Sequence, residues 1–309
     1  MAWLRGKSVV VTGAGRGIGA AYAYAAAREG ARVVVNDIDG DVAEQVAADI
    51  RDRGGTALAK VADLRRWTEA AGLIECCVSE FGTIDGLVNN AGLFDMAMPG
   101  EVTESQLNEL LAVNVGGVVA CSMPAIRQMR RRGSGSIVNV TSGAHMGVAH
   151  MSAYAATKGA VASLTYTWSL ELAASGVRVN AISPLARTRM ADTTAAFLTR
   201  NGLGRIHTEG TPVPEANAPV AVFLLSDASA HVTGQIVRIE GSNLALVAHP
   251  AILDPVLSTD GLWTPDGVAR AFAESLGQHL VPVGMEPLLR AEYVSGASAF
   301  WDGTPTAAQ

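Results

Sequence analysis

The chain has 309 residues, of which 49% are hydrophobic and only 17% are charged, so it can bury a large core and does not belong to the disordered class. Its net charge of −6 argues against the basic surface of a nucleic-acid-binding protein. The three cysteines, Cys76, Cys77 and Cys121, have no CxxC or histidine-rich context, so we expect neither a metal site nor a disulfide framework. No signal peptide or membrane-spanning run is evident, and we expect a soluble cytoplasmic protein.

Short β-branched segments alternate with alanine-rich helical segments along the first 245 residues. The predicted strands lie at 8–12, 32–36, 56–61, 84–89, 136–140, 177–182 and 235–240. The predicted helices lie near 17–29, 40–53, 65–81, 103–131, 152–174 and 214–226. This alternation is typical of βαβ units in a parallel sheet. We therefore expect an α/β fold, a doubly wound parallel sheet of about seven strands with helices on both faces.

We expect one large domain at 1–245 and a C-terminal extension at 246–309 that packs on this domain or on a neighbouring subunit. Within the extension, Thr264 and Pro265 predict the start of a helix. We expect its apolar residues to pack near the substrate site or across a subunit boundary; they include Leu253, Val256, Leu257, Leu262 and Trp263.

A glycine triplet follows the first predicted strand and opens the next helix, at Gly13, Gly17 and Gly19. Glycines in this strand–turn–helix context let backbone N–H groups approach a pyrophosphate, as in Rossmann-type dinucleotide sites. The alternative is a glycine-rich turn that binds no ligand. Asp37 ends the second strand, where an acid accepts hydrogen bonds from the adenosine ribose and repels a 2′-phosphate. Arg16 is a cation in the same turn and could bind a 2′-phosphate, which would favour NADP. We give Asp37 more weight and expect NAD, with NADP less favoured.

Tyr154 and Lys158 stand four residues apart on a predicted helix and therefore share one face. A cation beside a phenol favours the phenolate, so Lys158 is expected to lower the pKa of Tyr154 from its usual value of about 10. Tyr154 would then exchange protons at neutral pH. The alternative is an ordinary amphipathic helix with a half-buried tyrosine and a surface lysine.

Taken together, T-G-x-x-x-G-I-G, N-N-A-G at 89–92, Asn114, Ser142 and Y-x-x-x-K resemble the short-chain dehydrogenase/reductase family over residues 7 to about 242. The resemblance implies that Ser142 holds the substrate oxygen, Tyr154 transfers the proton, Lys158 binds the nicotinamide ribose and Asn114 holds a water. It implies a cofactor site formed by Gly13, Arg16, Gly17, Ile18, Gly19, Asp37, Ile38, Asp63, Leu64, Asn90, Ala91, Gly92, Tyr154, Lys158, Pro184 and Thr188.

Three departures from the family pattern stand out. Ser142 precedes Tyr154 by 12 residues rather than the more usual 13, which leaves Thr141 as an alternative hydroxyl. Leu185 replaces the usual glycine after Pro184, and Thr188 comes one position early. The chain also continues beyond the family core, and two short stretches resemble the dehydrogenase unit of type 2 peroxisomal multifunctional enzymes.

The predicted function is an NAD(P)-dependent oxidoreductase that interconverts a secondary alcohol and a ketone. Candidate substrates are 3-hydroxyacyl thioesters, steroids and cyclic alcohols. Two alternatives remain, a dinucleotide-binding regulator without catalysis and a lyase or epimerase on the same scaffold. The resemblance also implies a homo-oligomer, a dimer or a tetramer, and a small-molecule substrate, with no nucleic-acid or membrane partner.

Overall fold

The computed structural model describes residues 2–204 and 210–280. Its eight strands are β1 (Ser8–Val11), β2 (Arg32–Asp37), β3 (Thr56–Val61), β4 (Gly86–Asn89), β5 (Gly135–Val140), β6 (Val177–Leu185), β7 (Ile236–Glu240) and β8 (Asn243–Leu246). They form one sheet in the order β3-β2-β1-β4-β5-β6-β7-β8, parallel from β3 to β7. The strand order reverses between β1 and β4, and the carboxyl ends of strands at such a switch point border a ligand crevice.

Helices cover both faces of the sheet. The α-helices of the described residues are α1 (Gly17–Arg28), α2 (Gly40–Asp52), α3 (Trp67–Phe81), α4 (Glu104–Leu111), α5 (Val118–Arg132), α6 (Ser152–Glu171), α7 (Arg189–Arg200), α8 (Ala218–Leu225) and α9 (Pro265–Glu274). Val9 and Val11 face the core shared with α1, α2 and α8, whereas Val10 faces the core shared with α3, α5 and α6. Strands buried on both faces explain why the β-strand segments are almost continuously apolar.

The sheet has eight strands, so the expectation of about seven strands was wrong. The additional strand, β8, pairs antiparallel with β7 at the edge of the sheet. Its four residues include no β-branched residue and are all exposed, so the segment lacks the usual sequence signal of a buried strand.

The predicted helix at 103–131 is interrupted by a π-helical segment, Ala112–Gly117, between α4 and α5. A π-helical turn often marks a functional site, and this one contains the buried Asn114. Among the described residues, Glu104–Arg132 is the one helical stretch that is long and apolar enough to cross a membrane. More than half of its most apolar window is buried inside the protein, as in the core helix of a soluble protein.

The first residues of the extension pack on the domain, and its later described residues are largely exposed. Val247 packs with Tyr166 beside the buried Ile236, and the His249 ring lies 4.6 Å from the Tyr166 ring. None of the residues of α9 is buried, and Leu262 is 94% exposed. Residues 281–309 lie outside the described part of the chain, so packing of the extension near the substrate site or a neighbouring subunit stays a prediction.

Candidate active site

The turn between β1 and α1 requires glycine at particular positions. Gly13 has φ +59°, and a Cβ there would lie 2.8 Å from Ala91 Cα. A Cβ at Gly19 would lie 2.2 Å from the Gly13 carbonyl oxygen. No side chain caps the N-terminus of α1, and its first turn carries no acid. The first N–H groups of α1 are therefore available to an anion, and the residues fit the pyrophosphate of a dinucleotide.

A set of hydrogen bonds ties this turn to the N-N-A-G segment after β4. Thr12 Oγ1 accepts from the backbone N–H groups of Asn90 at 3.0 Å and Ala91 at 3.1 Å. The Asn90 amide donates back to the carbonyl oxygens of Thr12 at 3.0 Å and Gly13 at 2.9 Å. Thr12 was not among the predicted site residues, although it is the first letter of the T-G-x-x-x-G-I-G motif that identifies the site.

Asp37 lies at the end of β2 beside the glycine turn. Its carboxylate accepts from Gly15 N–H at 3.0 Å and from Asp39 N–H at 3.2 Å, one hydrogen bond to each oxygen. Each oxygen keeps a further lone pair, so the carboxylate can still accept from ribose hydroxyls. Ile38 is 61% exposed next to it, and Arg16 forms an ion pair with Asp39.

Asp63 and Leu64, predicted to meet the adenine, have local partners of their own. The Arg65 guanidinium donates to the Asp63 carboxylate at 2.6 and 2.9 Å, and this holds the pKa of Asp63 below its ordinary value. Leu64 is buried, and its Cβ lies 2.9 Å from where a Cβ at Gly117 would stand. The Leu64 side chain is therefore part of the core, so only its backbone is available to a ligand.

The Ser142 hydroxyl lies close enough to the Tyr154 phenol to act on its titration and to lower its pKa. Ser142 Oγ accepts from Ala144 N–H at 3.2 Å, which leaves its single proton to donate. Thr141, the alternative hydroxyl, is buried, and its Oγ1 donates to the Ile182 carbonyl at 3.1 Å within the sheet. The structure therefore brings Ser142, and not Thr141, to Tyr154 despite the 12-residue spacing.

Lys158 lies behind Tyr154, with its Nζ 5.7 Å from the tyrosine ring centroid. This Nζ donates to the Val140 carbonyl at 2.8 Å. A Cβ at Gly92 would lie 3.5 Å from Lys158 Nζ and 3.3 Å from Asn114 Oδ1, so Gly92 leaves room for both groups. The N-N-A-G segment thus connects the glycine turn with the tyrosine and lysine.

Asn114 is held by three hydrogen bonds. Leu93 N–H donates to its Oδ1 at 2.7 Å, and its amide donates to the Leu93 carbonyl at 2.9 Å and to Thr157 Oγ1 at 3.0 Å. Asn114 therefore fixes the loop after β4 against α6. The predicted water between Asn114 and Lys158 stays a prediction.

Burial controls the titration of the two central groups. It raises the pKa of Tyr154 to about 12, and the neighbouring Ser142 hydroxyl acts in the opposite direction. Burial lowers the pKa of Lys158 to about 8. The sequence predicted a lowered tyrosine pKa; in the structure burial of the phenol raises it instead. Tyr154 is consequently a protonated acid at neutral pH, beside a lysine that is still mostly charged.

Apolar side chains pack against Tyr154 and form a wall that consists of Phe94, Met151 and a cluster on α7. The Phe94 ring meets the Tyr154 ring edge to face, with centroids 5.0 Å apart. Phe94 also packs against the cluster in which Phe197 and Leu198 of α7 cover Met96. Nothing in the sequence singled out Phe94, since the contact depends on the course of the loop after β4.

Pro184 and Thr188 come from the end of β6 and the start of α7. Pro184 is in β6, paired with Ile239 of β7. Thr188 is the N-cap residue of α7, and its Cγ2 lies 3.8 Å from where a Cβ at Gly17 would stand. Thr188 therefore lies close to the glycine turn, although it stands one position earlier than the family pattern would place it.

Known proteins with similar sequences and structures identify the family of the chain. The chain is 38% identical to cis-4-hydroxycyclohexanecarboxylate dehydrogenase of Sinomonas cyclohexanicum, over 78% of this chain and 97% of that protein. It is 35% identical to 3-alpha-(or 20-beta)-hydroxysteroid dehydrogenase of Mycobacterium bovis, over 80% and 92%. A crystal structure of a short chain dehydrogenase from Mycobacterium avium superposes with a TM-score of 0.80 at 33% identity, covering 92% of this chain and 99% of that one. Residues 7–197 match the short chain dehydrogenase family model, and the chain belongs to that family of oxidoreductases, which implies a nicotinamide dinucleotide cofactor.

Proposed function

We propose that the protein is an NAD-dependent oxidoreductase that interconverts a secondary alcohol and a ketone. The observation that carries this proposal is the position of the Tyr154 phenol, beside the Ser142 hydroxyl and the buried Lys158, with Gly92 leading from this group to the glycine turn. The division into a catalytic domain at 1–245 and an extension at 246–309 belongs to the same proposal.

In this mechanism the side chains of the protein bind the substrate oxygen and transfer its proton. A bound NAD(H) supplies or accepts the hydride. Ser142 donates a hydrogen bond to the oxygen of the reacting carbon, and Tyr154 donates its proton to that oxygen during reduction or removes it during oxidation. A pKa of about 12 keeps Tyr154 protonated at neutral pH, so the resting site is prepared for ketone reduction. The positive charge of Lys158 stabilises the phenolate that remains after the transfer.

The substrate that this site favours is apolar and cyclic. The wall above Tyr154 consists of Phe94, Met151 and the α7 cluster, and aromatic and methionine side chains adapt to a flat apolar ring. Two of the relatives are named for a hydroxycyclohexane carboxylate and a hydroxysteroid, both cyclic secondary alcohols. Acyl thioesters, suggested by the resemblance to multifunctional enzymes, are the second candidate class.

We further propose a cytoplasmic homo-oligomer, a dimer or tetramer assembled through the α5 and α6 helices. Leu170 on α6 is 79% exposed in the isolated chain, as expected of a side chain covered by a second subunit. Light scattering at micromolar concentration is expected to give a multiple of the 31.9 kDa chain. A single species of that mass would refute the assembly.

Turnover of NADH with a panel of cyclic and linear ketones, and of NAD+ with the matching alcohols, tests the function. Reversible change in nicotinamide absorbance with at least one pair is the expected result. Cofactor binding without turnover of any ketone or alcohol would favour the regulator. Conversion of a substrate with no net change of cofactor would favour a lyase or epimerase.

A further inference from the structure

Arg16, Asp37 and Asp39 form a connected group at the end of β2. Arg16 Nη2 donates to Asp39 Oδ2 at 2.6 Å, and Asp39 N–H donates to Asp37 Oδ1 at 3.2 Å. Asp37 Oδ2 in turn accepts from the N–H of Gly15, the residue before Arg16. The two acids and one guanidinium leave a net charge of −1 at the place where an adenosine ribose would meet the chain.

Asp39 occupies a position where a carboxylate usually has another role. It is the N-cap residue of α2, and an aspartate there normally accepts a hydrogen bond from the first turn of the helix. In this structure its side chain makes no capping hydrogen bond. Its Oδ2 instead accepts from Arg16 across the glycine turn.

Arg16 is the cation in this turn that a 2′-phosphate would need, because a guanidinium binds phosphate through paired hydrogen bonds. We propose that Asp39 is a second determinant of cofactor choice, which engages Arg16 and so denies this cation to the 2′-phosphate of NADP. The inference rests on the proposed dinucleotide site and deepens it. Asp37 is the acid that faces the ribose, whereas Asp39 acts through Arg16 and is a positioning residue.

The test is equilibrium binding, which needs no turnover. Dissociation constants for NAD+ and NADP+ are measured by calorimetry for wild type, Asp39→Asn, Arg16→Ala and the double variant. Because the side chains of Arg16 and Asp39 are both partly exposed, release of their ion pair in Asp39→Asn is expected to improve NADP+ binding by up to about fivefold relative to NAD+. The double variant should lose most of that gain. Glu44→Gln, which removes another ion pair of α2, with Arg51, should leave the ratio unchanged.

Two results would overturn the proposal. An unchanged NADP+ to NAD+ ratio in Asp39→Asn would show that Arg16 is not withheld by Asp39. An equal gain in Asp39→Asn and in the double variant would show that the carboxylate acts by repulsion alone. A different result, failure of wild type to bind either dinucleotide, would refute the proposed function together with this inference. It is seen in the wild type and not in the variants, so it can be told apart from the two results above.

Discussion

Replacement of Lys158 by methionine should stabilise the free protein at neutral pH while it removes activity. Lys158 is 4% exposed, and its recorded hydrogen-bond acceptor is the Val140 carbonyl. The fall of its pKa from 10.5 to about 8 means that the fold holds the charged form at a cost of roughly 3 kcal/mol. Loss of the hydrogen bond to Val140 offsets about 1 kcal/mol of this. The expected net gain in free energy of unfolding at pH 7 is roughly 2 kcal/mol.

The sign of the pH dependence follows from linkage. Between about pH 8 and pH 10.5 the unfolded chain keeps a proton on Lys158 that the folded chain has lost, so wild-type stability rises across this window relative to the variant. The advantage of Lys158→Met should therefore be complete below pH 8 and should disappear towards pH 10.5. Urea denaturation of both proteins at several pH values measures the difference.

Lys60→Met is the matched control, because Lys60 is an exposed lysine on β3. This variant should change the free energy of unfolding by less than about 0.5 kcal/mol, with no trend over the same pH window. If Lys158→Met destabilises the protein at pH 7, burial of the lysine is not costly, and the reasoning is refuted.

Three further outcomes are expected. For ketone reduction, kcat/KM should fall above about pH 8 as Lys158 loses its charge, and Lys158→Arg should move this fall to higher pH in whatever activity it retains; a flat profile to pH 10 would contradict the assignment. Asp37→Ala should narrow the preference for NAD+ over NADP+ in binding, and a wild type that already prefers NADP+ would show that Arg16 dominates. Deletion of residues 246–309 should change the substrate KM or the oligomeric state, with kinetics and light scattering as readouts; if neither changes, the extension is an appendage.

The sequence predicted the fold well because a doubly wound sheet imposes a pattern on every element. Strands buried on both faces must be mostly apolar, and this is visible in β1, β2, β4, β5 and β6, whereas the edge strand β3 is partly exposed. The edge strand β8 was missed because an exposed four-residue strand is under no such constraint. The π-helical segment was missed because its residues are compatible with an ordinary helix.

The site residues were predicted from motifs, but their environment was not. The spacing of Tyr154 and Lys158 indicated that they share a face. The direction of the tyrosine pKa shift instead depends on how completely the residues packed around Tyr154 exclude water. Phe94 contributes to that exclusion through tertiary contact alone. Asp39 likewise resembles a helix cap in the sequence, and only the structure shows its carboxylate engaged with Arg16.

The most direct test of the central claim is the turnover of Tyr154→Phe with a ketone that wild type reduces. The substitution removes the phenol proton and keeps the ring that packs against Phe94. The account predicts that kcat falls by at least ~10²-fold, the low end for general acid–base catalysis, while the dissociation constant for NADH stays nearly the same. Unchanged turnover would remove Tyr154 from the mechanism and contradict the account.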